Sequence, residues 1–274
     1  MEIRRRRRQP RREGSAIIAQ RLNAERLVLL GWTRAILLQL AHPLIAAGVY
    51  DHSSFRATPL AAAARLHSTI RAMLALSFGT DAEREHALHG IRTIHTRVNG
   101  QLPEDVGVFP AGTAYSAEDP ALVLWVHLTL LESIPLAYER FVGPVSEQER
   151  DSYCAESAWV ATALGARPAD VPMTWHHASD QLSQMYGSRT LRVGAQARAL
   201  SVAVLAPRLA RAVPPLASWN RLVTIGLLPA EIRREYGLTW SDADGRRFDR
   251  TVQRVRRLRR ALPDVIALWP EARA

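Results

Sequence analysis

The chain contains no lysine: all 36 of its basic side chains are arginine, set against 26 acidic ones, for a net charge of +10 over 274 residues. It has a single cysteine, Cys154. One thiol excludes an internal disulfide and any site built on several cysteines, whether structural zinc or an iron–sulfur cluster, and it fits a reducing compartment. Thiolate-ligated haem would need a cysteine presented by a loop. Cys154 instead lies mid-helix in Asp151–Ser152–Tyr153–Cys154–Ala155–Glu156, where a small packing residue is the natural reading. No uninterrupted run of about 18 apolar residues occurs; the longest candidate, residues 35–50, is broken by Gln39, His42 and Pro43. No membrane span is therefore expected. A glycine-rich phosphate loop and a nucleophile elbow are also missing, and no segment alternates apolar with polar residues long enough to announce a sheet.

The positive charge is concentrated at the two ends. Residues 1–13 carry seven arginines against two glutamates, and residues 246–260 carry eight arginines against one aspartate, so the remainder is near neutral. Residues 1–14 read as a disordered, dispensable arm, with contact to an anionic membrane surface or to nucleic acid as the alternatives. A twin-arginine export signal would continue into a neutral apolar stretch. Residues 16–19 give way at once to Gln20, Arg21, Asn23, Glu25 and Arg26, so a cytoplasmic location is expected. In the second basic segment Phe248, Val252, Val255, Leu258 and Leu262 recur at helical spacing, which makes its arginines the solvated face of a docked helix.

Helix signals recur throughout. Ser15 can cap a helix to about residue 30, a second runs over 33–49 with a kink near Pro43, and Pro59 opens a third that ends near Gly79. Thr80 with Glu83 forms a capping-box pattern for a fourth, closed by Gly100. Residues 101–118 read as a loop. Asp119 and Pro120 start a strongly apolar helix to about Phe141, and Ser146 with Glu149 opens another that Gly165 closes. Further helices are expected near 175–186, 189–205, 215–227 and 241–261. The fold class is an all-α bundle, with residues 15–274 as one domain.

Among nine histidines, helical geometry singles out His95. At about 100° per residue it falls within about 60° of Leu88, Ile91 and Val98, while His86 lies on the opposite side and His89 between them. His95 thus points inward, as a hydrogen-bonded core histidine or as a metal ligand. His42 and His127 also sit among apolar residues, and nothing in the pattern distinguishes them from core histidines. Arg65 and Thr69 share one helical face. An arginine there is either at the surface or paired with a bound carboxylate. Asp51 and His52 form a polar cluster at the end of an apolar element. A four-helix di-iron site would need two Glu-x-x-His pairs, and only Glu83 and His86 match, on the polar face.

Taken in order, several segments resemble the rubber-oxygenase (latex-clearing) and MpaB-type oxygenase family: Gln39–Leu40–Ala41–His42–Pro43, Gly48–Val49–Tyr50–Asp51–His52–Ser53, Arg65–Leu66–His67–Ser68–Thr69, and Ile94–His95–Thr96–Arg97–Val98–Asn99–Gly100. The resemblance continues through Tyr115–Ser116–Ala117–Glu118–Asp119–Pro120, Leu124–Trp125–Val126–His127, Phe141–Val142–Gly143–Pro144 and the stretch from Leu227 to Leu238, covering residues 20–272. It implies a globin-like single-domain helical bundle holding haem b through one axial histidine, and dioxygen cleavage of carbon–carbon double bonds in isoprenoids, the chemistry of the best-known members. On this sequence the ligand motif falls on His95. Arg65 and Thr69 become haem-pocket residues with catalytic roles, and Asp51 stands near where a family member places a catalytic carboxylate. Ser68 occupies a position that carries a distal lysine in some latex-clearing members.

The leading expectation is a haem b-dependent oxygenase taking dioxygen and a small apolar, olefinic or isoprenoid substrate. The alternatives are a non-catalytic helical protein that holds haem or lipid, and a nucleic-acid-binding protein using the arginine-rich termini. The partners expected are the substrate and dioxygen, with no specific nucleic acid, no transmembrane segment and at most weak membrane-surface contact through the arm.

Overall fold

In the computed structural model, residues 17–53, 59–206 and 213–273 are described. The expectations for residues 1–14 and for the Ser15 cap lie outside them. The bundle is organised around two packed helices, α2 (Leu29–Leu40) and α6 (Pro120–Phe141). Local chemistry starts α6 where the sequence indicates: Asp119 accepts from the Ala121 amide at 2.8 Å, and Pro120 takes the first-turn position, where no amide hydrogen is needed. Leu128, Leu131 and Ile134 of α6 interlock with Leu37 and Leu38 of α2, and the Trp125 indole donates to the Leu38 carbonyl at 3.3 Å. Gly31 permits the close approach, because a Cβ there would collide with the Ser133 carbonyl. By length and composition α6 could cross a membrane, yet most of it is buried inside the bundle.

Around this pair lie α1 (Ile18–Ala24), α3 (Pro43–His52), α4 (Pro59–Phe78), α5 (Asp81–His95), α7 (Glu147–Ala163), α8 (Trp175–Gly187) and α9 (Ala195–Leu205). The C-terminal part supplies α10 (Pro214–Leu227), α11 (Ala230–Glu235), α12 (Asp242–Ala261) and α13 (Asp264–Ala267). The described chain is thus an all-α multi-helix domain. Cys154 is fully buried in α7 and its thiol is pushed up to about 12 by burial, as suits a packing residue.

Several boundaries differ from those expected. The helix predicted over 15–30 breaks at Glu25, which is extended (φ −76°, ψ 123°), before a 3₁₀ turn at Arg26–Val28. The cause is tertiary: the buried Glu25 carboxylate accepts from Arg259 Nε at 2.8 Å and Nη2 at 2.6 Å, and its backbone pairs with Leu268. The kink near Pro43 is a full corner, with the helices on its two sides turned by 106°. His42 before the proline is extended (φ −84°, ψ 118°), as steric conflict with a proline ring requires. The fourth helix stops at His95 instead of Gly100. Residues Asn99–Gln101 (β1) then pair antiparallel with Ala114–Ser116 (β2), Gly100 opposite Tyr115, so the expected loop closes as a small hairpin. On α12, Phe248 and Val252 are buried and Val255 is half-buried as expected, but Leu258 is 61% exposed.

Candidate active site

Helices α4 and α5 form an antiparallel hairpin turned at Gly79–Thr80. A Cβ at Gly79 would stand 2.5 Å from the Ala75 carbonyl, which keeps the corner tight. The capping box is complete: the Glu83 amide donates to the Thr80 hydroxyl at 3.3 Å, and the Thr80 amide donates to the Glu83 carboxylate at 2.7 Å. Both helices rise about 1.5 Å per residue. Positions equidistant from the turn are therefore level, and His95 at the end of α5 stands level with Ala64 and Arg65 on α4.

His95 is half-buried, its Nδ1 is enclosed, and neither ring nitrogen bonds a described residue. Burial lowers its pKa, partly countered by the Glu118 carboxylate. Across the hairpin, six consecutive residues, Ala64 to Thr69, are exposed. Six residues cover every face of a helix, so this stretch lacks packing all round. Arg65 belongs to it and has no carboxylate within ion-pairing distance among the described residues. Solvent reaches Arg65, yet burial holds its guanidinium below the usual value. The Thr69 hydroxyl donates to the Arg65 carbonyl at 2.9 Å.

Asp51, at the end of α3, is exposed and accepts from the Tyr115 hydroxyl at 2.6 Å. Tyr115 is buried, and both burial and the neighbouring carboxylate push its pKa up. Its ring lies over two glycines: a Cβ at Gly100 would meet the phenol oxygen at 2.5 Å, and one at Gly48 would meet the ring at 3.5 Å. His52 Nε2 lies 3.0 Å from the Asn99 carbonyl and so carries the proton there. Asp51 thus fastens the β1–β2 hairpin to α3. By this rise His95 stands level with Arg65, while Thr69 lies one turn nearer the corner, and Asp51 is tied through Tyr115 to β2, whose partner β1 begins four residues after His95.

His86 and His89 are exposed, as their helical faces indicate. His42 and His127 are buried, each with one enclosed nitrogen lacking a partner, Nδ1 and Nε2 respectively, and burial lowers both pKa values to about 4. Sequence reasoning left these two undistinguished from ordinary core histidines. It also missed a buried polar cluster around Arg34, Ser133, Glu132 and Tyr186, signalled only by charges inside the apolar segments of α2 and α6. Two shallow clefts open elsewhere, one beside Trp32 and Met73 and one beside Arg189 and Glu231, and neither is lined by His95 or Arg65.

This all-helical domain carries a half-buried imidazole with an unpartnered Nδ1 and, at the same level of one helix hairpin, an exposed arginine without an ion pair among the described residues. Residues 19–257 match the family described as the ER-bound oxygenase mpaB/B'/rubber oxygenase catalytic domain, and the chain belongs to that oxygenase family. It is also 25% identical, over 231 residues and 82% of each chain, to an uncharacterized protein of Mycobacterium bovis and equally to one of Mycobacterium tuberculosis. No solved structure matches it.

Proposed function

We propose that the protein is a haem b-dependent oxygenase of the cytoplasm that uses dioxygen on a small apolar, olefinic substrate. The observation that carries this reading is His95, half-buried with an unpartnered Nδ1, standing at the same level of one helix hairpin as Arg65, which has no ion pair among the described residues. An enclosed imidazole nitrogen without a partner is costly, and a guanidinium without an anion offers an open charge to a ligand. A porphyrin iron with acidic side arms would meet both, with His95 giving an imidazole nitrogen to the iron and Arg65 a charge-assisted hydrogen bond to a side-arm carboxylate. When bound, haem supplies the iron chemistry of dioxygen.

The chain's own residues do the rest. His95, at the end of α5, would hold the iron. Arg65 would orient the ring through a propionate, and Thr69, one turn nearer the corner, could release its backbone bond to donate to a bound group. Exposed Leu66 and Ile94, 54% and 53% accessible, flank Arg65 and His95 in sequence and supply apolar lips for an apolar substrate. Asp51, with its proton donor Tyr115, keeps the segment following His95 in place.

The test is spectroscopic. Expressed with ample haem, the protein should purify with a Soret band near one equivalent; His95→Ala should lose most of it, while His86→Ala and His89→Ala should not. Arg65→Leu should weaken haem retention with helicity preserved. A wild type that never takes up haem overturns the cofactor, and a normal band in His95→Ala with a lost band in His42→Ala or His127→Ala overturns the ligand. Stoichiometric haem without oxygenated product from any unsaturated hydrocarbon would leave a haem carrier.

A further inference from the structure

Helix α12 presents an unusual face. Arg246, Arg247, Arg250, Arg254, Arg257 and Arg260 are all exposed, and among the described residues none of the six is ion-paired. At about 100° per residue they span an arc of roughly 140°, centred opposite the buried Phe248 and Val252. The acidic residues of this helix lie towards its start: Asp242 and Asp244 in the first turn, where Asp244 caps Ser241, and Asp249. Beyond Asp249 the outer face carries cations without a compensating carboxylate.

Apolar groups stand at the end of this basic face. Leu258 in the last turn is 61% exposed, and Val265 and Ile266 on the following α13 are 56% and 53% exposed. Leu258 lies on the flank of the arginine arc, which explains why it departs from the buried stripe. A cationic helical face that ends in exposed branched aliphatic side chains matches two layers of one partner, anionic headgroups and the acyl chains beneath them. Nucleic acid would use the arginines but has no use for three aliphatic side chains, and aromatic stacking groups are missing from the patch.

We propose that α12 and α13 form a docking surface for an anionic lipid bilayer, with the arginine face on the headgroups and Leu258, Val265 and Ile266 entering the interface. Docking there would place the enzyme at the phase in which an apolar substrate concentrates, although the surface stands whether or not the oxygenase reading holds. The experiment is sedimentation of the full chain with vesicles, at about 0.1 M salt, made of phosphatidylcholine alone or with one third phosphatidylserine. Binding is expected to the mixed vesicles only, weakening as salt rises.

The triple variant Arg250→Glu, Arg254→Glu, Arg257→Glu should weaken it about a hundredfold or more, since each basic residue at such a surface contributes about a fivefold factor. Leu258→Ser with Ile266→Ser should weaken it about tenfold while the salt dependence remains. Circular dichroism checks that both variants keep their helices. Failure of the wild type to bind mixed vesicles, or triple-variant binding equal to wild type, overturns the proposal. So does unchanged affinity in the serine variant. Tight binding to duplex DNA with none to vesicles would replace the lipid by nucleic acid.

Discussion

Arg34 shows what a single charge can require of a helical core. It is 2% exposed, and its guanidinium donates to the Leu227 carbonyl at 2.8 Å and the Ser133 hydroxyl at 2.7 Å while pairing with Glu132 at 2.8 Å. Tyr186 donates to the same Glu132 oxygen. Every direction of the fork is used, so the cluster is stable only as a unit. Arg34→Met strands the Glu132 carboxylate and should cost about 3–5 kcal/mol, read as a lower urea midpoint, whereas Arg34→Met combined with Glu132→Leu should recover much of the loss. The Tyr115–Asp51 bond is simpler. Tyr115→Phe should cost about 2 kcal/mol in thermal unfolding, and Asp51→Asn less, since the amide oxygen still accepts. Each of these charges is visible in the sequence as an oddity within an apolar run. Their partners are not, because Arg34 meets a carboxylate on another helix and Tyr115 reaches Asp51 across two glycines.

Elements were legible wherever their limits are set by neighbours in the chain. The Thr80–Glu83 and Ser146–Glu149 boxes open α5 and α7 where the pattern puts them, and Gly165, at φ +112°, closes the region after α7. Thr80→Ala should accordingly cost about 1 kcal/mol and fray the first turn of α5, measurable as faster amide exchange at residues 81–84 with little change near His95. Limits set from a distance were not legible. The break at Glu25 depends on Arg259, the start of α9 at Ala195 is later than its composition suggests, and strands of three residues are too short to show alternation. The level pairing of His95 with Arg65 is an intermediate case. It follows from the Gly79–Thr80 corner and a constant rise, both readable beforehand, whereas the emptiness around residues 64–69 appears only in three dimensions.

At the scale of the whole molecule, two neutral histidines make folding sensitive to acid. His42 packs its ring 5.4 Å from Phe109, His127 lies within α6, and both have a folded pKa of about 4 against an ordinary 6.5. Burial is the main cause for each, and for His42 the Asp119 carboxylate opposes it. The folded protein therefore refuses a proton that the unfolded chain accepts between pH 6.5 and 4. Stability from this source is complete above about pH 6.5, falls as the pH drops through the window, and is lost below about 4, on the order of 3 kcal/mol for each residue. The capping carboxylates Glu83, Glu149 and Asp244, whose pKa values are lowered by hydrogen bonds to Thr80, Ser146 and Ser241, act below about pH 4.5 and so touch only the lower edge of this window. Urea midpoints measured at pH 7.5, 6.5, 5.5 and 4.5 should fall steadily, and in His127→Leu the slope should be clearly shallower than in the wild type. Midpoints that stay level from pH 7.5 to 4.5 would mean that a proton enters the core without cost, and that His42 and His127 have partners in solution which the structure does not give them.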